Sequence, residues 1–289
     1  MKFALFLGCT VPARARNYEL SARNVAQRLG IELVDLDWTC CGFPVKGLSR
    51  EACELMAARN LSLAREAELD IVTLCSACTG VLTEVSKELE DEKKRASVNR
   101  QLKEIGKEYR GGVKVKHLVR VFFEDIGVNE IKKQMVRELP LKIAPHYGCH
   151  YLKPSHLYGH FDDPEAPCSL HRLIKTTGAT PVDYEDLKEC CGGGILAVHE
   201  EVALSLAADK LNHIVANGTD ALALVCPFCA VMYDDNQKKI CRQQEKDYNL
   251  PVLYLTQVLG LGMGLDPEKE LGMQFNKVKT KELLSRLEG

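Results

Sequence analysis

Five cysteines recur in a fixed order twice along this chain. Cys9 is followed by the adjacent pair Cys40–Cys41 and then by Cys75-Ser-Ala-Cys78; Cys149 is followed by Cys190–Cys191 and then by Cys226-Pro-Phe-Cys229. The shift between copies is 150 for the adjacent pair, 151 for the C-x-x-C and 140 for the lone cysteine, so the second copy carries about ten extra residues between Cys149 and Cys190. The flanks repeat as well. "LDIVTLCSAC" matches "DALALVCPFC", "VKHLVRVFFEDIG" echoes "LYLTQVLGLGMG", and both lone cysteines follow a glycine at the end of an apolar run. Repetition on this scale dictates two homologous halves meeting about a pseudo-twofold axis, in units too long for a solenoid.

Eight short β-rich apolar runs read as buried parallel strands: "KFALFL", "IELVDL", "DIVTL" and "VKVKHL" in the first half, "LKIAP", "TPVDY", "ALALV" and "PVLYL" in the second. Helical patterns lie between them at 17–29, 49–67, 79–109, 198–216 and 230–247, with Ser49 as an N-cap. Alternation of this kind predicts α/β units with right-handed crossovers, each half a small, mainly parallel sheet with flanking helices. The expected division is 1–140, 141–265 and a tail, 266–289, that reads as a loosely attached helix or a partner contact. The charged stretch 84–111 reads as a solvated helix face.

Composition narrows the function. A net charge of −2 argues against a nucleic-acid binder, and no apolar run is long enough to span a membrane. The N-terminus reads as a strand rather than a signal peptide, which predicts a cytoplasmic protein whose thirteen cysteines stay reduced. Such a chain binds metal or runs redox chemistry.

Cys9, Cys75 and Cys226 each follow an apolar strand, where open α/β sheets bind ligands. A C-x-x-C entering a helix presents both sulfurs near backbone N–H groups and the positive end of the helix dipole, which favours thiolate. Zinc gathers four ligands at one atom, and two consecutive residues rarely both fit that tetrahedron. A multi-iron cluster spreads several metal atoms over a few ångströms, so neighbouring thiolates can bind different irons. Gly42 and Gly192, each following its cysteine pair, are expected to let the backbone pass close to an inorganic ligand. An iron–sulfur cluster at each set is therefore favoured over zinc with a spare thiol, a dithiol–disulfide motif or inert buried cysteines. No ferredoxin-type cysteine run is present, so electrons must arrive from another subunit. No glycine-rich nucleotide motif occurs either. Cys53, Cys168 and Cys241 lie outside the repeat and read as small buried hydrophobes.

At Cys9-x30-Cys40-Cys41-Gly42-x32-Cys75-x2-Cys78, at Cys149-x40-Cys190-Cys191-Gly192-x33-Cys226-x2-Cys229, and at "PHYGCHYLKP" (145–154), the sequence resembles the cysteine-rich CCG domain family, in particular the B subunits of heterodisulfide reductases. The resemblance spans nearly the whole chain. It implies two non-cubane 4Fe–4S clusters, each built from two fused smaller units and held by five cysteines. Cys9, Cys40, Cys41, Cys75 and Cys78 would bind one; Cys149, Cys190, Cys191, Cys226 and Cys229 would bind the other. It also implies a disulfide-cleaving enzyme, with the coenzyme M–coenzyme B heterodisulfide as the favoured substrate. The implied partners are a small iron–sulfur subunit of the heterodisulfide reductase C type and a flavin-containing A subunit, with a hydrogenase or formate dehydrogenase beyond them. Facing clusters could each take one sulfur and supply one electron. His150 is the first candidate proton source and His146 the second, the bland role being a hydrogen bond to a cluster sulfur. Arg14, Arg16, Lys46, Lys153 and His156 are candidates to clamp anionic substrate ends, with surface solvation the plainer role for each. The competing readings are an electron-relay CCG subunit of a lactate, glycolate, succinate or thiol:fumarate enzyme, and a zinc-bound assembly module.

Overall fold

All eight apolar runs become strands. A computed structural model describes residues 1–287 and places β1 (Lys2–Phe6), β2 (Glu32–Val34), β3 (Ile71–Thr73) and β4 (Val115–His117) in one sheet. β5 (Lys142–His146), β6 (Thr180–Pro181), β7 (Ala221–Leu224) and β8 (Val252–Tyr254) form a second. The strand orders are β2-β1-β3-β4 and β6-β5-β7-β8, the same order in each copy, and every pairing is parallel. The protein is thus α/β with two four-stranded parallel sheets, as the duplication requires. Both sheets carry apolar residues on two faces: Ala4, Leu5, Phe6, Val72, Ala144, Leu222 and Leu224 are fully buried between helices.

The register aligns the strand ends that carry the cysteines. Phe6 pairs with Thr73 and Thr73 with His117; His146 pairs with Leu224 and Leu224 with Tyr254. The segments leaving β1 and β3, like those leaving β5 and β7, therefore emerge side by side.

Three helical expectations hold closely, the first as Arg16–Arg28. Arg50–Glu66 begins at Ser49, whose Oγ accepts from Ala52 N at 3.2 Å, and Glu200–Ala216 is its counterpart in the second half. The single helix expected over 79–109 is instead two, Ser76–Glu88 and Glu92–Leu102. Asp91 breaks it: its side chain accepts from Lys94 N at 2.7 Å and caps the second helix. The pattern at 230–247 begins as a π-type turn, Val231–Asp235, before the helix Gln237–Gln244.

The tail is not loosely attached. Asn276, 2% exposed, accepts from Asn17 Nδ2 at 2.9 Å and Gln257 Nε2 at 3.1 Å and donates to Val252 O at 2.6 Å. The buried Asp234 carboxylate accepts from the backbone N–H groups of Lys277 and Val278, both at 2.8 Å. The tail thereby ties the first-half helix Arg16–Arg28 to β8 of the second half. That joint also contains the stacked rings of Tyr18 and Tyr254, with centroids 3.9 Å apart, and the Ser21–Thr256 hydroxyl contact at 2.7 Å.

Candidate metal centre

Each cysteine set is assembled from three chain segments at one sheet edge. Cys75 leaves β3 in extended conformation and caps the helix Ser76–Glu88, which carries Cys78 in its first turn; Cys226 leaves β7 and caps Pro227–Ala230 in the same way. The adjacent pairs lie on the loops that enter the helices Arg50–Glu66 and Glu200–Ala216. Cys9 and Cys149 begin short helical turns after β1 and β5.

The ten sulfurs form one unbroken row. Each lies close enough to perturb the ionisation of its neighbour, in the order Cys9, Cys40, Cys41, Cys78, Cys75, Cys226, Cys229, Cys191, Cys190, Cys149, with Cys190 and Cys149 Sγ 4.0 Å apart. Replacing each residue by its partner in the other copy reverses this order and leaves the row unchanged. The pseudo-twofold therefore passes between Cys75 and Cys226, where the two halves touch. The middle six thiols are buried, and the row opens toward solvent at Cys9, Cys40, Cys190 and Cys149.

Thiols packed this closely cannot all ionise against one another. The neighbouring Cys78 thiol lowers Cys41 to about 7, and the Cys149 thiol lowers Cys190 well below the ordinary thiol value while Cys149 rises in turn. Cys226 is lowered by Cys229 and Cys75, both of which are pushed up. All thirteen cysteines are free thiols. A polynuclear cation would let the whole row be thiolate, and the number, softness and spread of these donors suit iron–sulfur ligation. The buried Ser76 Oγ at the row's centre has no hydrogen-bond partner among the described residues.

A cavity of about 80 Å³ lies against the second set, lined by Cys149, Cys190, Cys191, Cys226, Cys229 and Ser76. His150 lines it as well. Its Nδ1 is 3.1 Å from Cys149 Sγ, and its ring meets Phe43 edge-on with centroids 5.2 Å apart. His146 is different. It is fully buried, burial holds it neutral, its Nδ1 has no partner among the described residues, and its Nε2 lies 3.2 Å from Cys229 Sγ. This is the geometry of an N–H donor to a ligand sulfur rather than of a solvent-linked acid.

The glycines serve a different contact from the one expected. Gly42 and Gly192 have φ of +96° and +79°, and a Cβ on them would lie 2.9 Å from the Cys53 backbone and from Ala203 O respectively. Their bare faces meet the helices Arg50–Glu66 and Glu200–Ala216, not the cavity. The amides do reach sulfur: Gly42 N to Cys40 at 3.5 Å, Gly192 N to Cys190 at 3.4 Å, Gly193 N to Cys191 at 3.4 Å.

None of the five basic candidates lines either cysteine cavity. Lys46 is held by Glu84 at 2.5 Å and Lys153 sits 3.7 Å from Glu165. Arg14 lies 3.8 Å from Asp235, Arg16 stacks over Phe275, and His156 is exposed, its carbonyl accepting from Lys87. Cys53 is fully buried as expected; Cys168 is exposed and Cys241 half-buried, contrary to expectation, and neither joins the row. Phe43 and Phe228, unnoticed in the sequence, line both cavities with ring centroids 6.2 Å apart. Aligning the copies exposes them: Phe43 stands opposite Gly193, and Phe228 opposite Ala77, so each half supplies one aromatic from a different motif.

The family model "Cysteine-rich domain" (CCG) matches residues 3–83 and 143–234. The B subunit of the ferredoxin:CoB-CoM heterodisulfide reductase of Methanosarcina mazei is 36% identical over 292 residues, covering 99% of this chain and 97% of that one. The 8-methylmenaquinol:fumarate reductase membrane anchor subunit of Wolinella succinogenes is 32% identical over 288 residues, covering 98% and 99%. A hypothetical protein from Helicobacter pylori shares the fold at a TM-score of 0.76 and 17% identity, over 96% of this chain and 52% of that one. No helix among the described residues is long and apolar enough to cross a membrane.

Proposed function

This chain belongs to the cysteine-rich CCG domain family and is homologous to the B subunit of heterodisulfide reductase, and from that premise we propose that it is the disulfide-cleaving component of a heterodisulfide reductase complex. Cys9, Cys40, Cys41, Cys75 and Cys78 would hold one non-cubane 4Fe–4S cluster, and Cys149, Cys190, Cys191, Cys226 and Cys229 the other. Clusters held there would supply one-electron reduction chemistry, two electrons in all for the overall reaction RS–SR′ + 2 e⁻ + 2 H⁺ → RSH + R′SH. The observation that carries the reading is the unbroken row of ten thiols centred on Cys75 and Cys226, which supports two centres near enough for one small disulfide to meet both.

The side chains around the row have separable tasks. Phe43 and Phe228 wall the space between the sets and keep water from it. His150 directs Nδ1 at Cys149, leaving Nε2 to hand a proton toward the cavity. His146 steadies the Cys229 sulfur. With the row's inner thiols buried and its ends open, electrons are delivered by a partner, a small iron–sulfur protein that draws in turn on a flavin-containing one. The coenzyme M–coenzyme B heterodisulfide is the substrate we favour.

Protein purified without oxygen should contain about eight irons per chain, and its reduced form should release thiols from that heterodisulfide. Zinc in place of iron refutes the reading. A second reading, electron relay without disulfide cleavage, is favoured by the similarity to the Wolinella succinogenes fumarate reductase subunit. Iron-replete, reduced protein that releases no thiol would establish it.

A further inference from the structure

The two cysteine sets are related by duplication, yet beyond their aromatic walls two buried matched positions beside them differ in charge and hydrogen bonding. Asn60 and Lys210 occupy the same place in the helices Arg50–Glu66 and Glu200–Ala216, and both are buried, at 0% and 1% exposure. Both tether the loop that carries the adjacent cysteines. Asn60 Nδ2 donates to Cys40 O at 3.1 Å, and Lys210 Nζ donates to Glu189 O at 2.7 Å. A neutral amide performs this task in the first half, so the tether does not require a charge. Lys210 nevertheless has no ion-pair partner among the described residues; its other close contact is the face of Tyr184, 5.7 Å away. A buried ammonium without a carboxylate is costly unless another anion lies near. Burial pulls its pKa down from the ordinary lysine value, and the anions that oppose this and favour its charged form are, first, the sulfurs of Cys229 and Cys191, then Asp186 and Glu189.

The second difference is at the ends of β1 and β5. Phe6 and His146 occupy matched positions: Phe6 and the Cys78 sulfur flank Gly8, as His146 Nε2 and the Cys229 sulfur flank Gly148. The second half thus gives a ligand sulfur an N–H donor at 3.2 Å where the first half presents a phenyl ring. Cations do stand near the first set, but they are neutralised. Lys46 is paired with Glu84, and Arg50 with Glu54, Glu84 and Glu88.

Positive charge and N–H donation to sulfur both stabilise the reduced, more negative state of an iron–sulfur centre. We propose that Lys210 and His146 hold the centre of the C-terminal cysteine set at a higher one-electron reduction potential than that of the N-terminal set, so that the first electron settles in the C-terminal half. The inference rests on the reading that both sets hold iron–sulfur clusters. The duplicated protein is then electronically polar: two sites alike in ligands, filled in a fixed order.

The test is a redox titration, followed by EPR, of the iron-loaded chain purified without oxygen. Iron analysis comes first. A wild-type protein without iron refutes the cluster reading itself, whatever the potentials. With iron present, two one-electron steps are expected. Lys210→Asn should move the higher step down by at least tenfold in its equilibrium constant, about 59 mV for one electron, and leave the lower step in place. Lys210→Arg should restore it. Cys190→Ser, which alters the EPR signature of the C-terminal centre alone, assigns the steps to halves. An iron-replete Lys210→Asn protein with an unchanged titration, or a higher step assigned to the N-terminal half, overturns the proposal. Should Lys210→Asn lose its iron, Asn60→Lys decides: a rise of the lower step sustains the proposal and no movement overturns it.

Discussion

Gly192→Ala is the substitution whose cost can be worked most directly from the structure. Gly192 has φ +79°, where a residue with a Cβ is disfavoured by about 1–2 kcal/mol. The added methyl would stand 2.9 Å from Ala203 O and 3.1 Å from Ala203 Cα, whereas ordinary contact begins at 3.4 Å. Those are backbone atoms of the helix Glu200–Ala216, so no side chain can swing aside. Either the helix or the cysteine loop must shift by about half an ångström. Ala203 and Ala207 are fully buried, so moving the helix disturbs a packed core at about 1–3 kcal/mol. The sum is roughly 2–5 kcal/mol. Moving the loop instead carries the Gly192 amide away from Cys190, now at 3.4 Å, and should reduce iron retention. The control is Gly194→Ala two residues on, where an added Cβ meets nothing within 4 Å and φ is not positive. Urea unfolding of the metal-free proteins, with iron content of the loaded ones, makes the comparison. Gly194→Ala should lie within about 0.5 kcal/mol of wild type. If Gly192→Ala does so too, the helix does not crowd the loop at Gly192 and the positive φ there excludes no side chain.

His150→Gln should slow thiol release by about 10²-fold with iron content unchanged; an unaltered rate removes His150 as the proton donor. Asn276→Ala leaves the buried Asn17 Nδ2 without a partner, while Gln257 Nε2 keeps Leu271 O at 3.0 Å, and should cost about 1–3 kcal/mol, seen as early proteolysis of the tail; a tail cut no faster than in wild type would show that Asn276 does not hold it. Burial pushes the Asp234 carboxyl up to about 6, outweighing its two backbone N–H bonds. Because the folded value lies above the ordinary one, the stability linked to Asp234 is full below about pH 4 and is lost as pH rises through about 6, by up to about 3 kcal/mol. Unfolding of wild type and Asp234→Asn compared across that window should show this loss in wild type alone, and parallel pH profiles would refute it.

The eight strands and the two five-cysteine sets were legible because each leaves a local mark, an apolar run of strand length or a thiol at a repeated spacing; that the sets join into one row through Cys75 and Cys226 was not. What escaped had no such mark. The break at Asp91 sits in a stretch where every residue suits a solvated helix, and only the cap bond to Lys94 N separates the two segments. The tail was misjudged because its anchors, Asn276 and Asp234, are polar residues that ordinarily signal surface; here each is buried and fully engaged. Lys210 was passed over for the same reason. The glycines were noticed but assigned the wrong neighbour, since a sequence shows that a Cβ is missing and not which chain occupies the space.

The interface explains why the doubling is fused into one chain rather than left as two loose domains. Val225, immediately before Cys226, offers its carbonyl to two side chains of the other half: Tyr18 Oη donates at 3.1 Å and His117 Nε2 at 2.9 Å. His117 Nδ1 is taken as acceptor by Val119 N, which fixes the proton on Nε2, and burial keeps the ring neutral, with a pKa of about 4. The strand end that presents Cys226 is therefore positioned by the first half. Cys75 and Cys226 are only 2% and 6% exposed because each lies under the opposite half. A half folded alone would expose its central thiol, and the second half would also lose the donors that aim Cys226. Two sites that share their walls, Phe43 from one side and Phe228 from the other, can diverge in charge while remaining locked in distance. Lys210 opposite Asn60 and His146 opposite Phe6 are divergence of this kind: the scaffold keeps the halves opposed, and a few buried side chains make them unequal.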